Sequence, residues 1–208
     1  MGDTDSISVL RFWFEECRPW QWFRRSDSFD EHVRKRFGQL TDEAIKGGLQ
    51  HWETEASNAL ALVLLLDQFS RQLWRDQARA FSGDTRAVQL SWQALEQQWV
   101  ADEPEQARRQ FWLMPLLHSE DPSVVKKAIP LLEQFVDRAT ADLGRRNLRV
   151  LESHGCYPWR LTTETGNSPN PARAMKVNRS PGAHEFCRHE SPESEGPDTT
   201  SPVPDSVF

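Results

Sequence analysis

His118, Ser119, Glu120 and Asp121 follow one another directly after Met114-Pro115-Leu116-Leu117. A histidine near carboxylates can do general acid–base chemistry. Here His118 would take the proton, with Glu120 or the more distant Asp67 orienting its ring. His, Glu and Asp also ligate divalent cations, but no second histidine sits at a ligand spacing, so neither a metal nor another cofactor is expected. Ser119, Glu120 and Asp121 before Pro122 equally have the make-up of an ordinary helix N-cap. These alternatives stay open at the level of residue types.

A second set of groups is cationic. Arg71, Arg75 and Arg79 are spaced i, i+4, i+8, with Arg86 beyond them. If one helix carried the first three, they would share a face and could grip phosphate or carboxylate with their planar forks. Asp67, Asp76, Asp84, Glu120 and Asp121 are acids that could pair with them instead, as an internal salt-bridge network. The residues expected around a ligand pocket are therefore Asp67, Gln68, Arg71, Arg75, Arg79, Asp84, Met114, His118 and Glu120. Arg71, Arg75 and Arg79 would contact an anion, and Asp67 and Glu120 would hold their guanidiniums.

Positioning these groups falls first to Leu60–Leu66, seven consecutive apolar residues with no polar face. Such a helix must be covered on all sides, and it turns polar at Asp67, Gln68, Arg71 and Arg75. The central helix is expected over roughly 55–75. Before it, Asp5 or Ser6 opens a helix with Ile7, Leu10, Trp13 and Phe14 that stops near Pro19, and Trp20, Trp22 and Phe23 form a loop folded back on the core. Ser26 or Asp27 opens the next helix, whose Phe29, Val33, Phe37, Leu40 and Ala44 share one face, and Gly47-Gly48 ends it. After it, Asp84 caps a helix with Val88, Trp92, Leu95 and Trp99. Pro104 marks the first position of another, carrying Ala107, Phe111, Met114 and His118. Asp121-Pro122 starts a sixth with Val125, Ile129, Leu132, Phe135 and Ala139, which Pro130 should kink or divide. A further helix is expected over 141–153. No long β alternation interrupts this series. The fold expected is all-α, with antiparallel helix pairs in a bundle or superhelix.

Composition divides the chain. All nine Trp lie within 1–160, whereas 161–208 holds seven of the thirteen Pro and only Phe186 and Phe208 as aromatics. A helical globular domain over 1–160 and a disordered Pro/Ser/Glu-rich tail over 161–208 follow, which also explains a mean hydropathy of -0.68. The net charge of -6 argues against a nucleic-acid partner. Leu60–Leu66 is far short of the ~20 residues of a membrane span. Cys17, Cys156 and Cys187 are too widely spaced for a disulfide framework. With no signal-peptide pattern at the N-terminus, a cytoplasmic location without membrane partners is expected. There is no nucleophile elbow, phosphate loop, dinucleotide fingerprint or zinc-protease histidine pair, so an enzyme on a common template is disfavoured. Phe12, Trp13, Phe14, Trp22, Phe23, Trp74, Phe81 and Trp112 read most simply as core.

Phe12-Trp13-Phe14, Trp22-Phe23, Phe29-Asp30, Leu60 through Asp67-Gln68-Phe69 with Arg71, Arg75 with Arg79-Ala80-Phe81 and Asp84, and Phe111 with Met114-Pro115 and His118-Ser119-Glu120-Asp121 occur in this order. Over about residues 9–160 the chain resembles the bacterial family of uncharacterised proteins known as domain of unknown function 924. The resemblance implies a tetratricopeptide-like all-helical fold in a cytoplasmic bacterial protein, and no reaction. The chain departs from the family pattern at Ser70, where Pro is usual. In Gly155-Cys156-Tyr157-Pro158-Trp159-Arg160 it keeps only part of a closing signature, with His154 and Trp159 in place of Phe and His. If that segment completes a site, the site here is impaired. A genuine tail and a change of reading frame both account for the loss of family character after Arg160, and the missing Asn and Leu-Gly-Arg codons in another frame would identify the second.

Three functions are thus in competition. The leading one is binding of a small anionic molecule or an acidic peptide end. Another is a hydrolase-like enzyme with His118 as base and Arg75 or Arg79 stabilising an oxyanion. The last is a helical scaffold for a protein partner.

Overall fold

In the computed structural model, which describes residues 4–160, every residue from Asn58 to Ser70 is buried. That is the covering on all sides which an apolar run without a polar face requires. The run forms α4 (Ala56–Val63), continues through a π-helical turn (Leu64–Phe69) and ends as α5 (Ser70–Leu73). Four helices surround it: α1 (Thr4–Arg11), α3 (Asp27–Ile45), α6 (Asp84–Glu96) and α8 (Gln106–His118). Between α1 and α3 lies the short α2 (Pro19–Trp22). Ser6, buried inside α1, hydrogen-bonds Asn58 at 2.5 Å and fixes α1 against α4.

On the far side of α8, α9 (Pro122–Phe135) packs against both α8 and α10 (Arg138–His154). The turns between them are short, which returns each helix along its predecessor. Asp121 caps α9 by accepting from the Ser123 amide at 2.8 Å, and Asp137 caps α10 from the Thr140 amide at 2.7 Å. Gly144 lets α10 approach closely, since a Cβ there would meet Leu117 Cδ2 at 3.0 Å and Ile129 Cγ1 at 3.2 Å. No strand occurs among the described residues, so the fold is all-α.

The aromatic residues fill the space between these helices. Trp13, Trp22 and Phe111 form one contact group, with ring centroids 5.0 to 6.2 Å apart. Phe12, Phe37 and Phe69 form another at 5.1 to 5.9 Å. Geometries of this kind add about 0.5–1.5 kcal/mol per pair beyond the area they bury.

Several boundaries differ from those expected. The first helix runs on through a π turn (Phe12–Glu16), and Pro19-Trp20-Gln21-Trp22 is a helical turn rather than loop. The central helix stops at Leu73, short of Arg75. Asp84 is inside the first turn of α6, whose N-cap is Gly83. Trp99 begins a separate α7 (Trp99–Asp102), because Gln98 takes a left-handed conformation with φ 61°. Pro104 precedes α8 by two residues, and Pro130 leaves α9 undivided. Ala139 belongs to α10, because Asp137 starts a new helix there. The proposed tail, 161–208, lies outside the described residues.

Candidate functional site

Asp67 comes from the π turn of the central helix and is fully buried. A bare carboxylate at such a position would cost several kcal/mol, and it is met by three partners. Arg71 Nη1 lies 3.2 Å from its Oδ1, Gln68 Nε2 donates to Oδ2 at 2.7 Å, and His118 Nδ1 lies 2.8 and 3.0 Å from its two oxygens. Burial alone would raise the Asp67 carboxyl. The Arg71 and His118 charges, with the hydrogen bonds of His118 and Gln68, outweigh burial and hold it below the ordinary carboxylate range. Arg71 is likewise opposed by burial and restored by Asp67 and Asp84, so it is raised above its ordinary value. The π turn contributes backbone acceptors: Ser70 Oγ donates to the Leu66 carbonyl and Arg71 Nη1 to the Asp67 carbonyl, both at 2.7 Å.

A carboxylate only accepts hydrogen bonds. His118 Nδ1 therefore donates to Asp67, and in the neutral ring Nε2 keeps its lone pair. The His118 side chain is 16% exposed, so the ring is not wholly sealed in the core.

The cluster extends outward through alternating charges. Arg71 Nη2 reaches Asp84 Oδ1 at 3.0 Å, and Arg160 Nη1 reaches Asp84 Oδ2 at 2.8 Å, so two guanidiniums share one carboxylate. Arg160 Nη2 donates to the His118 carbonyl at 2.6 Å. Both guanidiniums lie over Phe81, at 5.4 and 4.3 Å from its centroid, a cation–π arrangement. Glu120 Oε1 accepts from the Tyr157 amide at 2.7 Å, while its Oε2 is 3.9 Å from Arg160. The buried Tyr157 hydroxyl donates to the Leu117 carbonyl at 2.7 Å, and burial pushes that phenol above its usual range.

A model of the bacterial proteins of unknown function, DUF924, matches residues 9–163, nearly all of the described chain. The chain belongs to that family. Among solved structures, this DUF924 chain is similar to a protein of unknown function from Agrobacterium tumefaciens. The two share 25% identity at a TM-score of 0.72, over 83% of this chain and 96% of the other. No curated protein matches the sequence.

Of the expected pocket residues, the DUF924 fold gathers Asp67, Gln68, Arg71, Asp84, His118 and Glu120. It separates Arg75 and Arg79 from them. With the helix ended at Leu73, Arg75 pairs with Asp30, Nη2 to Oδ1 at 2.8 Å. Arg79 pairs with Asp42 and lies 4.0 Å over the Trp74 ring. The three arginines thus share no face, and the acids facing Arg75 and Arg79 come from α3. Met114 is 2% exposed and packed in the core. Glu120 engages Tyr157 and Arg160 instead of any of the three arginines. Arg160 and Tyr157 were not among the expected residues. Their only signal was the surviving part of the closing signature, which the fold brings back over His118. Among the described residues, no helix is long and apolar enough to cross a membrane.

Proposed function

We propose that the protein is an enzyme of hydrolytic type in which His118 acts as general base toward a small substrate. One observation carries this reading: a fully buried carboxylate faces His118 Nδ1 at 2.8 and 3.0 Å. This pairing fixes the tautomer and leaves the lone pair on Nε2, as the acid partner does in Ser-His-Asp sites. Nε2 would take a proton from water or from a substrate hydroxyl. Arg71 and Arg160 are the nearby cations that would stabilise developing negative charge, the part that the sequence suggested for Arg75 or Arg79. The buried Cys17 thiol suits the cytoplasm as its setting.

Small carboxylic and phosphoric esters and amides, assayed as a panel, test the proposal. Positioned proton transfer contributes about 10²–10⁴-fold, so His118→Ala should remove at least about a hundredfold of any turnover and leave the helical spectrum intact. Turnover that survives His118→Ala would sink the proposal.

A second reading, binding without turnover, draws on Asp84. Two guanidiniums already hold its carboxylate, at 3.0 and 2.8 Å. A small anion or an acidic peptide end would compete for that place. Thermal unfolding against phosphates, carboxylates and nucleotides tests it. A ligand at ~100 times its dissociation constant adds about 2.7 kcal/mol, and Arg71→Ala should remove that gain.

A further inference from the structure

A cleft of about 660 Å³ opens between the N-terminal π turn, α2 and the start of α3, and shares no lining residue with the Asp67 cluster. Its volume falls in the range of about 300–1,000 Å³ usual for small-molecule sites. We propose that this cleft binds a small aromatic carboxylate of one or two rings.

The floor is aromatic. Phe12 and Phe29 stack with centroids 5.9 Å apart and planes at 18°, and His32 lies 5.6 Å from Phe12. At the mouth stands Trp20, 62% exposed although it is among the largest apolar side chains of the protein. An indole left in water on the lining of the cleft offers one flat face to a ligand ring.

Charge on the lining selects an anion. Glu16 is neutralised by Arg36, which hydrogen-bonds it and lowers its carboxyl. Arg25 is committed to Asp76 at 2.8 Å. The Cys17 thiol, pushed up to about 12 by burial, adds no negative charge. Arg24 remains, with no ion-pair partner among the described residues. One guanidinium fork beside an aromatic slot fits the two oxygens of a carboxylate. A phosphate-rich ligand would bring more charge than a single free cation matches.

The full chain labelled with ¹⁵N is titrated with benzoate and indole-3-carboxylate, following the Trp20 indole N–H signal, assigned by its loss in Trp20→Phe. Both acids should move that signal saturably at millimolar concentration. Inorganic phosphate and benzyl alcohol, each with half of the chemistry, should bind far more weakly. Arg24→Gln should weaken both acids by about tenfold or more, through loss of the charged fork on the carboxylate. Absence of a saturable shift, equal affinity in Arg24→Gln, or phosphate binding as tightly as benzoate would each overturn the proposal. His118→Ala should leave this titration unchanged, so a failure here and a failure of the His118 chemistry are read separately.

Discussion

Asp67→Asn removes one charge and almost no volume from the centre of the protein. It leaves Arg71 with Asp84 at 3.0 Å but without the carboxylate at 3.2 Å on its own helix, and gives His118 Nδ1 an amide in place of a carboxylate. Breaking a buried pair by deleting one partner costs about 3–5 kcal/mol. The surviving Asp84 contact and the remaining amide oxygen place this case at the lower end, about 3 kcal/mol. At roughly 2–4 °C per kcal/mol for a chain of this size, the melting temperature should fall by about 6–12 °C. Acid supplies an internal control. The Asp67 carboxyl is depressed in the folded state from an ordinary value of 3.8. Its contribution is therefore fully present above that value and is lost as pH falls through the lower folded one. Urea unfolding followed by tryptophan fluorescence should show the gap between wild type and Asp67→Asn narrowing as pH falls below about 4. A gap under about 1 kcal/mol at neutral pH, less than the smallest usual cost of an uncompensated buried charge, would refute the reasoning. So would a gap that acid leaves unchanged.

Further predictions follow from single contacts. Gly83→Ala should destabilise by about 2 kcal/mol, because its Cβ would stand 2.5 Å from the Leu66 carbonyl of the central helix; calorimetry showing no loss would mean that α6 packs elsewhere. Tyr157→Phe leaves the Leu117 carbonyl short of a partner at 2.7 Å and should cost about 1 kcal/mol in urea unfolding. Arg86→Ala should cost more, about 2–3 kcal/mol, since one guanidinium holds Glu53 at 2.6 Å and the Ala44 and Gly48 carbonyls at 2.9 Å each; a loss no larger than that of Tyr157→Phe would show these bonds to be exchanged for water.

The parts of this fold that could be read from the sequence are those set by local chemistry. Asp121 before Pro122 and Ser26 before the Phe29 stripe announce helix starts, and both side chains do cap, at 2.8 and 3.4 Å. Leu60–Leu66 announces a buried centre by its lack of any polar face. The arginine stripe misleads because i, i+4, i+8 counts one face only while an α-helix continues. The π turn at Leu64–Phe69 and the stop at Leu73 send Arg71, Arg75 and Arg79 to three different acids. Such a turn arises from how the surrounding helices fit, and no residue in Leu-Leu-Leu-Asp-Gln-Phe spells it out. Asp84 reads both as a cap and as an acid for the arginines; Gly83 takes the cap position, and Asp84 lies between two guanidiniums. Asp67 as the partner of His118 was one of two options; 51 residues of separation hide which carboxylate arrives, and Glu120 is drawn off by the Tyr157 amide. Arg160 belongs to the same class, 42 residues from the carbonyl it binds.

The central claim is that Asp67 fixes the tautomer of His118 and leaves Nε2 as a proton acceptor. Selective ¹⁵N labelling of histidine, with the ring nitrogens of His118 assigned through His118→Gln, measures this directly. Spectra taken at about pH 9, above the ordinary range of histidine titration, should show Nδ1 carrying the hydrogen and Nε2 with the shift of a bare lone pair, and Asp67→Asn should mix the two forms. A proton found on Nε2 in the wild-type protein would contradict the account, because the ring would then have no base to offer a substrate.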